Sequence, residues 1–294
     1  MKTKIVFCVF LALGFLSVAT SSFAADAPKR FSLVLSGGYG TTGGGDMSKV
    51  FAGENGLIRD FAALGGFTVT DTLQTASWSQ EFEVEFLFRP VRNFGLSLGT
   101  GWLGKSEDAR GAGESGASAR FSVDWNTDYR LIPVELSGVY FLPAGARLTA
   151  YAKAGAGYYF GRMKYSAAAE ENFTGASTWE LDEGTATDSS FGFHGGLGLE
   201  YSVSPVVSIF LEAHGRYVSL NDWAVDQTHS DPTSNINETG TFWYTERFQP
   251  DVGKSYATFL FRKDRPDDSD LRNVRKMAIG FSGLALKAGF KIAF

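Results

Sequence analysis

The sequence predicts an all-β protein: a transmembrane, antiparallel, up-and-down β-barrel of eight strands with long extracellular loops. The 294-residue chain holds 26 Phe, 11 Tyr, 6 Trp and 35 Gly but only 8 Pro, and its mean hydropathy is −0.07. After residue 24 no apolar run is long enough for a membrane helix, and apolar residues instead alternate with polar ones. In lipid, strands must close into a barrel because every backbone group needs a hydrogen bond.

The N-terminal segment has the pattern of a secretory signal peptide. A positive start at Lys2 and Lys4 precedes an apolar core, Ile5 to Leu16, and the small-residue pattern Ser22-Phe23-Ala24. This apolar core is too short to span about 30 Å of hydrocarbon. We therefore predict a signal peptide over residues 1–24 and a single outer-membrane β-barrel domain over residues 25–294.

Composition limits the chemistry of the exported chain. The only cysteine, Cys8, lies in the predicted signal peptide, so we expect no disulfide and no thiolate site. Taking Lys2 and Lys4 from the 27 basic residues leaves 25 against 32 acidic residues, a formal charge of −7. No basic stripe is present, which argues against a nucleic-acid partner. We expect no cofactor, no metal site and no enzymatic activity.

Eight segments carry the alternation expected of barrel strands. In chain order they are Phe31 to Gly40, Trp78 to Arg89, Phe94 to Gly104, Arg120 to Leu142, Arg147 to Tyr165, Ser190 to Val203, Val207 to Ser219 and Leu284 to Phe294.

The first four segments each have one apolar face, and the contrast is clearest in the second. In the first, this face holds Phe31, Leu33, Leu35 and Tyr39. In the second, it holds Trp78, Phe82, Val84, Phe86 and Phe88, opposite Ser79, Glu81, Glu83, Glu85 and Arg89. In the third and fourth, it holds Phe94, Leu96, Leu98, Trp102, Ile132, Val134, Leu136 and Tyr140, with Glu135 opposite.

The last four segments repeat the pattern. The fifth places Leu148, alternating alanines, Tyr158 and Phe160 opposite Lys153. The sixth places Phe191, Phe193, Leu197, Leu199 and Tyr201 opposite His194 and Glu200. The seventh places Val207, Ile209, Leu211 and Tyr217 opposite Glu212, His214 and Arg216. The eighth places Leu284, Leu286, Ala288, Phe290, Ile292 and Phe294 opposite Lys287 and Lys291.

The connections between segments alternate in length. Short links are expected at 89–93, 143–146 and 204–206, and long loops at 41–77, 105–118, 166–189 and 220–276. Bacterial barrels have short periplasmic turns and long extracellular loops, so both termini are expected in the periplasm. In the first loop, Leu57 to Leu64 has helical spacing with Gly65 as a cap. Ten strands are the main alternative, because 241–247 and 255–263 could add a hairpin, which we expect above the membrane.

Charged and histidine side chains share the inward register. A barrel this narrow is filled by its own side chains, so near-balanced charges predict mutual pairing. The predicted lumen polar network contains Glu81, Glu83, Glu85, Glu135, Lys153, His194, Glu200, Glu212, His214, Arg216, Lys287 and Lys291. A histidine near Glu212 also fits acid–base chemistry. We expect a structural network instead, because both strand histidines face inward.

Four motifs resemble the OmpA/OmpW-type small outer-membrane β-barrel families. They are Ile132-Pro133-Val134-Glu135-Leu136 leading into Tyr140-Phe141-Leu142-Pro143, Ala154-Gly155-Ala156-Gly157-Tyr158-Tyr159, Gly195 to Tyr201 followed by Ser204-Pro205, and Phe281 to Phe294. The resemblance implies insertion by the outer-membrane assembly machinery, with Phe290, Ile292 and Phe294 as the assembly signal. It also implies contact with outer-membrane lipid and lipopolysaccharide.

Three functions are compatible with the resemblance. We expect a structural role in envelope integrity, with the long loops presented for adhesion or for contact with an extracellular partner that the sequence does not name. The alternative is an OmpW-like conduit for small hydrophobic molecules, which would need an apolar funnel below the loops. Phe51, Leu57, Ile58, Phe61 and Leu64 could line such a funnel. A lipid-A-modifying enzyme is the third hypothesis.

Overall fold

A computed structural model describes residues 29–74, 77–115, 119–173 and 176–294. The predicted signal peptide, residues 1–24, lies outside the described residues, so it stays a prediction. Among the described residues, no helix is both long enough and apolar enough to cross a membrane.

The described residues form fifteen strands and one helix. In chain order these are β1 (Phe31–Thr41), α1 (Asp46–Gly65), β2 (Thr68–Asp71), β3 (Trp78–Val91), β4 (Phe94–Ser115), β5 (Ala119–Pro143), β6 (Leu148–Phe173), β7 (Ala176–Ser202), β8 (Val207–Tyr217), β9 (Ser219–Leu220), β10 (Ala224–Ser230), β11 (Asn235–Gln249), β12 (Lys254–Arg262), β13 (Leu271–Lys276), β14 (Ile279–Gly280) and β15 (Gly283–Ala293).

Eight strands close into an antiparallel ring, as predicted. The ring runs β1-β3-β4-β5-β6-β7-β8-β15 and returns to β1. The hairpin of β11 and β12 lies outside this ring and pairs with β10 and β13, so the ten-strand alternative is wrong. The fold is therefore an eight-stranded up-and-down barrel with large extracellular connections.

The ring exposes a continuous apolar band on its outer surface. Large apolar side chains are solvent-accessible there because their partner is lipid. The exposed aromatic residues of this band include Tyr39, Trp78, Phe82, Trp102, Tyr140, Tyr158, Phe191, Tyr201 and Tyr217. Their alternation with buried polar residues on the same strands is the pattern of a barrel whose lumen is polar.

Strands β4 to β7 are much longer than a membrane requires. They contain 22 to 27 residues, whereas roughly 9–11 residues cross a bilayer. The prediction of loops over 105–118 and 166–189 is therefore wrong for most of these residues, because the strands stay hydrogen-bonded in register far above the membrane. The outer face becomes polar there, as at Asp108 and Asp128, while the inner face changes from charged to largely apolar, as at Ala109 and Trp125.

The extensions of β4 to β7, together with α1, β2 and β10 to β13, form an extracellular unit that we call the dome. Its interior is rich in aromatic side chains. Trp125 is the centre of this core: its ring centroid lies 6.0 Å from Phe51 of α1, 5.2 Å from Phe259 of β12 and 6.1 Å from Tyr165 of β6. The loops thus form a folded cap with a core of its own.

Helix α1 is capped at its C-terminal end and bound to β13 at its N-terminal end. It starts at Asp46 and ends at Gly65, and the next residue, Gly66, forms a left-handed cap with a φ of 67°. The sequence pattern predicts this cap one residue earlier, at Gly65. The buried Asp46 carboxylate pairs with Arg275 and accepts the backbone N–H of Ala278 at 2.9 Å. Burial would raise the pKa of Asp46, but these hydrogen bonds and the one from Lys49 hold it below its usual value.

The middle of α1 lies directly on β12, and the approach depends on Gly53. A Cβ at Gly53 would lie 2.0 Å from the carbonyl oxygen of Ala257. At Gly56, three residues along the same helix, the nearest atoms belong to the ring of Tyr256 at 3.2 Å. Only the first position brings backbone against backbone.

We expect Gly53→Ala to detach α1 from β12, because overpacking of this kind costs about 1–3 kcal/mol. Gly56→Ala is the matched control, and it should be neutral or slightly stabilising since alanine favours helices by about 1 kcal/mol over glycine. Limited proteolysis of the refolded protein measures both. Equal protease resistance of α1 in the two variants would contradict the packing described.

Candidate functional site

The structure places all twelve predicted network residues on the ring with their side chains directed into the lumen. Eleven of them are buried as whole residues, and the side chain of Arg216 is also largely buried. They come from six strands: β3, β5, β6, β7, β8 and β15. The ring thus brings into one interior residues that lie up to about 200 positions apart in the chain.

Two lysines link the carboxylates across the middle of the lumen. The Nζ atom of Lys153 lies 2.8 Å from Glu85, 3.5 Å from Glu212 and 3.7 Å from Glu83. The Nζ atom of Lys287 lies 2.6 Å from Glu83 and 3.5 Å from Glu81. Glu83 therefore joins the two lysines, and the pairs connect β3 with β6, β8 and β15.

Two further pairs lie toward the ends of this network. Arg216 binds Glu81 at 3.0 Å and donates from Nε to the carbonyl of Phe281 at 3.0 Å. Lys291 pairs with Glu200 at the periplasmic end. Arg89, which the sequence also placed inward, forms no ion pair with any described residue; its guanidinium lies 4.1 Å from the ring centroid of Phe141.

The two histidines stack on each other, with ring centroids 5.7 Å apart. His214 Nδ1 lies 3.1 Å from Glu212 Oε1. His194 Nε2 lies 2.6 Å from the hydroxyl of Ser137, and its Nδ1 lies 3.6 Å from Glu135. The histidines therefore connect the charged centre of the lumen to the wall formed by β5.

The sequence pattern did not identify three further members of the network. The hydroxyl of Tyr151 donates to Glu212 at 2.8 Å, and that of Tyr159 donates to Glu135 at 2.7 Å. Ser137 is the third, through its contact with His194. The signal was present, because these positions share the inward register of Glu135 and Lys153, but a pattern of charges alone does not select hydroxyl groups.

Ser137, His194 and Glu135 together have the order of a nucleophile, a base and an orienting acid. Catalysis also requires a place for a substrate. Ser137 is 3 % exposed, and the side chain of His194 is fully buried. The arrangement can exchange hydrogen bonds within the lumen, but it does not offer the reacting hydroxyl to a molecule outside.

Apolar side chains pack against the network toward both of its ends. Toward the periplasm, Leu87, Val139, Phe141 and Tyr151 pack with Val34 and Phe210. They share a cavity of about 40 Å³ with five charged residues of the network, Glu85, Lys153, Glu200, Glu212 and Lys291. A cavity of that volume has room for only a few water molecules, since each needs roughly 10–15 Å³. Toward the dome, the buried layer contains Leu103, Tyr129, Leu131, Tyr159, Met163, Val218, Leu220 and Phe281. The charged centre lies between these two apolar clusters.

The last strand closes the ring beside the first. The backbone N–H of Phe294 donates to the carbonyl of Phe31 at 2.9 Å, and its ring stacks on that of Phe31 at 6.5 Å. Phe290 faces outward with the apolar band. The role of Phe290, Ile292 and Phe294 as an assembly signal stays a prediction.

These features define the class of protein as an integral outer-membrane barrel with a side-chain-filled lumen. A family model described as "Outer membrane protein beta-barrel domain" matches residues 8–240, which is most of the chain. The chain therefore belongs to the outer membrane protein beta-barrel domain family, and its location is the cell outer membrane. No curated protein sequence matches it.

Solved structures of outer-membrane proteins match this chain with low sequence identity and low TM-scores. A major outer membrane protein from Thermus thermophilus has 13% identity and a TM-score of 0.41, with 90% of this chain and 99% of that chain covered. OprG from Pseudomonas aeruginosa has 11% identity and a TM-score of 0.38, covering 90% and 97%. Ail from Yersinia pestis, solved in complex with the heparin analogue sucrose octasulfate, has 12% identity and a TM-score of 0.34, covering 90% and 99%. Similarities this low carry no functional argument.

The pair of Lys291 and Glu200 offers a direct test of lumen energetics. We expect Lys291→Met to cost about 3–5 kcal/mol, because it leaves the Glu200 carboxylate buried without its partner. The double variant Lys291→Met/Glu200→Leu should recover most of that loss. Urea unfolding in lipid vesicles measures both.

Lys276→Met is the matched control. Lys276 pairs with Asp222 in the exposed part of the dome, so its loss should cost less than about 1 kcal/mol. A double variant at Lys291 and Glu200 that is no more stable than the single variant would contradict the pairing.

Proposed function

We propose that the protein is a non-enzymatic structural barrel whose task is to hold the dome at the cell surface for contact with an extracellular partner. One observation carries this proposal: the lumen is filled by its own ion-paired side chains with apolar clusters at both ends, whereas the loops form a folded unit. A barrel organised in this way serves as a rigid base.

The pairing inside the lumen supports the structural part of the proposal. Buried ion pairs add little net stability compared with apolar packing, but removing one partner is costly. Lys153 of β6 binds carboxylates of β3 and β8, and Lys287 of β15 binds carboxylates of β3, so each lysine links strands that are not neighbours in the ring. Such ion pairs favour one register of the strands over its alternatives, as is expected of a rigid structural barrel.

The continuity of the strands supports the second part of the proposal, that the barrel holds the dome in place for contact with a partner. Strands β5 to β7 run without interruption of their pairing from the ring into the dome, where α1 is clamped by the pair of Asp46 and Arg275. The orientation of the dome is thus fixed by the barrel beneath it. A fixed, folded surface loses little conformational entropy when it binds a partner.

The conduit hypothesis receives less support. Of the five residues that could line an apolar funnel, Phe51 and Ile58 are buried in the packed interior of the dome, whereas Phe61 and Leu64 are exposed at its surface. They do not share one face of an open passage. The enzyme hypothesis is disfavoured by the burial of Ser137 and both lumen histidines.

Planar-bilayer recording tests the proposal. We expect little or no steady single-channel conductance from the refolded barrel, because buried and mutually paired side chains fill the lumen. Leu131→Ala/Phe141→Ala, which shortens one side chain in each apolar layer, should show more frequent openings and so verify insertion. Stable openings of the unaltered protein that a long-chain detergent blocks would contradict the proposal and favour the conduit.

A further inference from the structure

Two arginines lie directly opposite each other on the outside of the barrel wall. Arg130 of β5 and Arg162 of β6 are register partners. Both point outward, since Ile132 and Phe160, two residues away on the same strands, are exposed members of the apolar band. Like charges at directly opposite positions destabilise a strand pair, so this arrangement needs a compensating partner.

Their depth relative to the membrane is well defined. The next outward pair toward the membrane is Ile132 and Phe160, which is apolar. On the neighbouring strand, Arg130 is the register partner of Gly104, and the indole of Trp102 lies so close to Gly104 that a Cβ there would meet it at 2.2 Å. Tryptophan marks the boundary between hydrocarbon and headgroups. The two arginines therefore lie at headgroup depth.

The protein supplies only part of the compensating charge. Arg130 binds Asp128 on its own strand at 2.9 Å, with both side chains 39% exposed. Arg162 and its outward neighbour Lys164 are exposed, and neither forms an ion pair with any described residue. Three cations thus share one close carboxylate at the lipid boundary of an otherwise acidic protein.

A broad open groove of about 1230 Å³ lies immediately above, on the outer face of the dome wall. Arg162 and Lys164 belong to its lining. The remaining lining is polar, with hydroxyl, amide and carboxylate groups such as those of Thr185, Asn126 and Asp226. Groups of this kind are partners for the hydroxyls of a sugar. The carboxylates disfavour a soluble polyanion over the whole groove, so an anion is favoured only at the lower, cationic end.

We propose that Arg130, Arg162 and Lys164 bind a phosphate on the sugar headgroup of an outer-leaflet glycolipid, and that the sugars lie in the groove above. Arginine forks match the geometry of phosphate and bind it through charge-assisted hydrogen bonds. A phosphate bound by both Arg130 and Arg162 offsets the repulsion between their charges and links the two side chains. The site is independent of the proposed structural function, and it orients the dome relative to the membrane surface.

The thermal midpoint of unfolding in phosphatidylcholine vesicles, with and without lipopolysaccharide as the phosphorylated glycolipid, tests the site. Lipopolysaccharide should raise the midpoint of the unaltered protein, since a ligand of the folded state stabilises it. Arg130→Gln/Arg162→Gln should lose most of this rise, with an affinity at least about tenfold weaker. In phosphatidylcholine alone the same variant should be as stable as the unaltered protein or more so, because the repulsion is gone.

Arg110→Gln is the matched control, because Arg110 lies on the same outer face but pairs with Asp124 farther from the membrane. Lipopolysaccharide should raise the thermal midpoint of this variant as much as that of the unaltered protein. Arg162→Gln alone repeats the test if the double variant does not fold. The proposal would be overturned if lipopolysaccharide raised the thermal midpoint of the arginine variants as much as that of the unaltered protein. It would also be overturned if dephosphorylated lipopolysaccharide, phosphatidylglycerol or inorganic phosphate raised the midpoint of the unaltered protein as much as lipopolysaccharide does.

Discussion

Ion pairing in a narrow lumen is the constraint on which the rest of the structure depends. Eight strands leave an interior just wide enough for side chains, so a charged residue there must find its partner among its neighbours and not in water. Lys153, Lys287 and Glu83 meet this requirement by sharing partners across the ring. A slip of one residue in β3 would direct Glu81, Glu83 and Glu85 into lipid, so the network and the outer apolar band enforce the same register.

The wall changes its polarity at the membrane boundary. Within the bilayer its outer face is apolar and its inner face is charged, whereas in the dome the outer face carries Asp108 and Asp128 and the inner face carries Trp125 and Tyr165. The same strands thus serve two environments. Lipid covers the lower outer face, and the aromatic core formed with α1 and β12 fills the upper interior.

The alternation of residue types made much of the ring predictable. It located the eight strands, the short turns and the inward position of the charged residues, because both lipid and lumen impose a period of two. It failed at 105–118 and 166–189, where the polarity of the faces reverses and glycines such as Gly111 and Gly113 resemble loop residues. The clamp of Asp46 on Arg275 was also missed, since a contact between residues 229 positions apart leaves no local signal.

The charged residues of the lumen network could be predicted from the sequence, but its tyrosine members and the particular ion pairs could not. Tyr151 and Tyr159 resemble lipid-facing girdle residues by type, and only strict attention to register separates them from Tyr158. The pairing of particular acids with particular bases depends on the stagger of the strands around the ring, which a single sequence does not specify. The outward pair of Arg130 and Arg162 likewise becomes visible only when β5 and β6 are aligned.

The central claim is that the lumen is closed to water, and thiol labelling tests it most directly. The exported chain is expected to contain no cysteine, so single cysteines can be introduced at Ser36 and Ser97, which face the lumen and are buried, and at Gly145 in an exposed periplasmic turn. A membrane-impermeant maleimide added to the folded protein should label Gly145→Cys rapidly and leave Ser36→Cys and Ser97→Cys unlabelled until denaturant is added. Labelling of the lumen positions at the rate of the turn position would contradict the account.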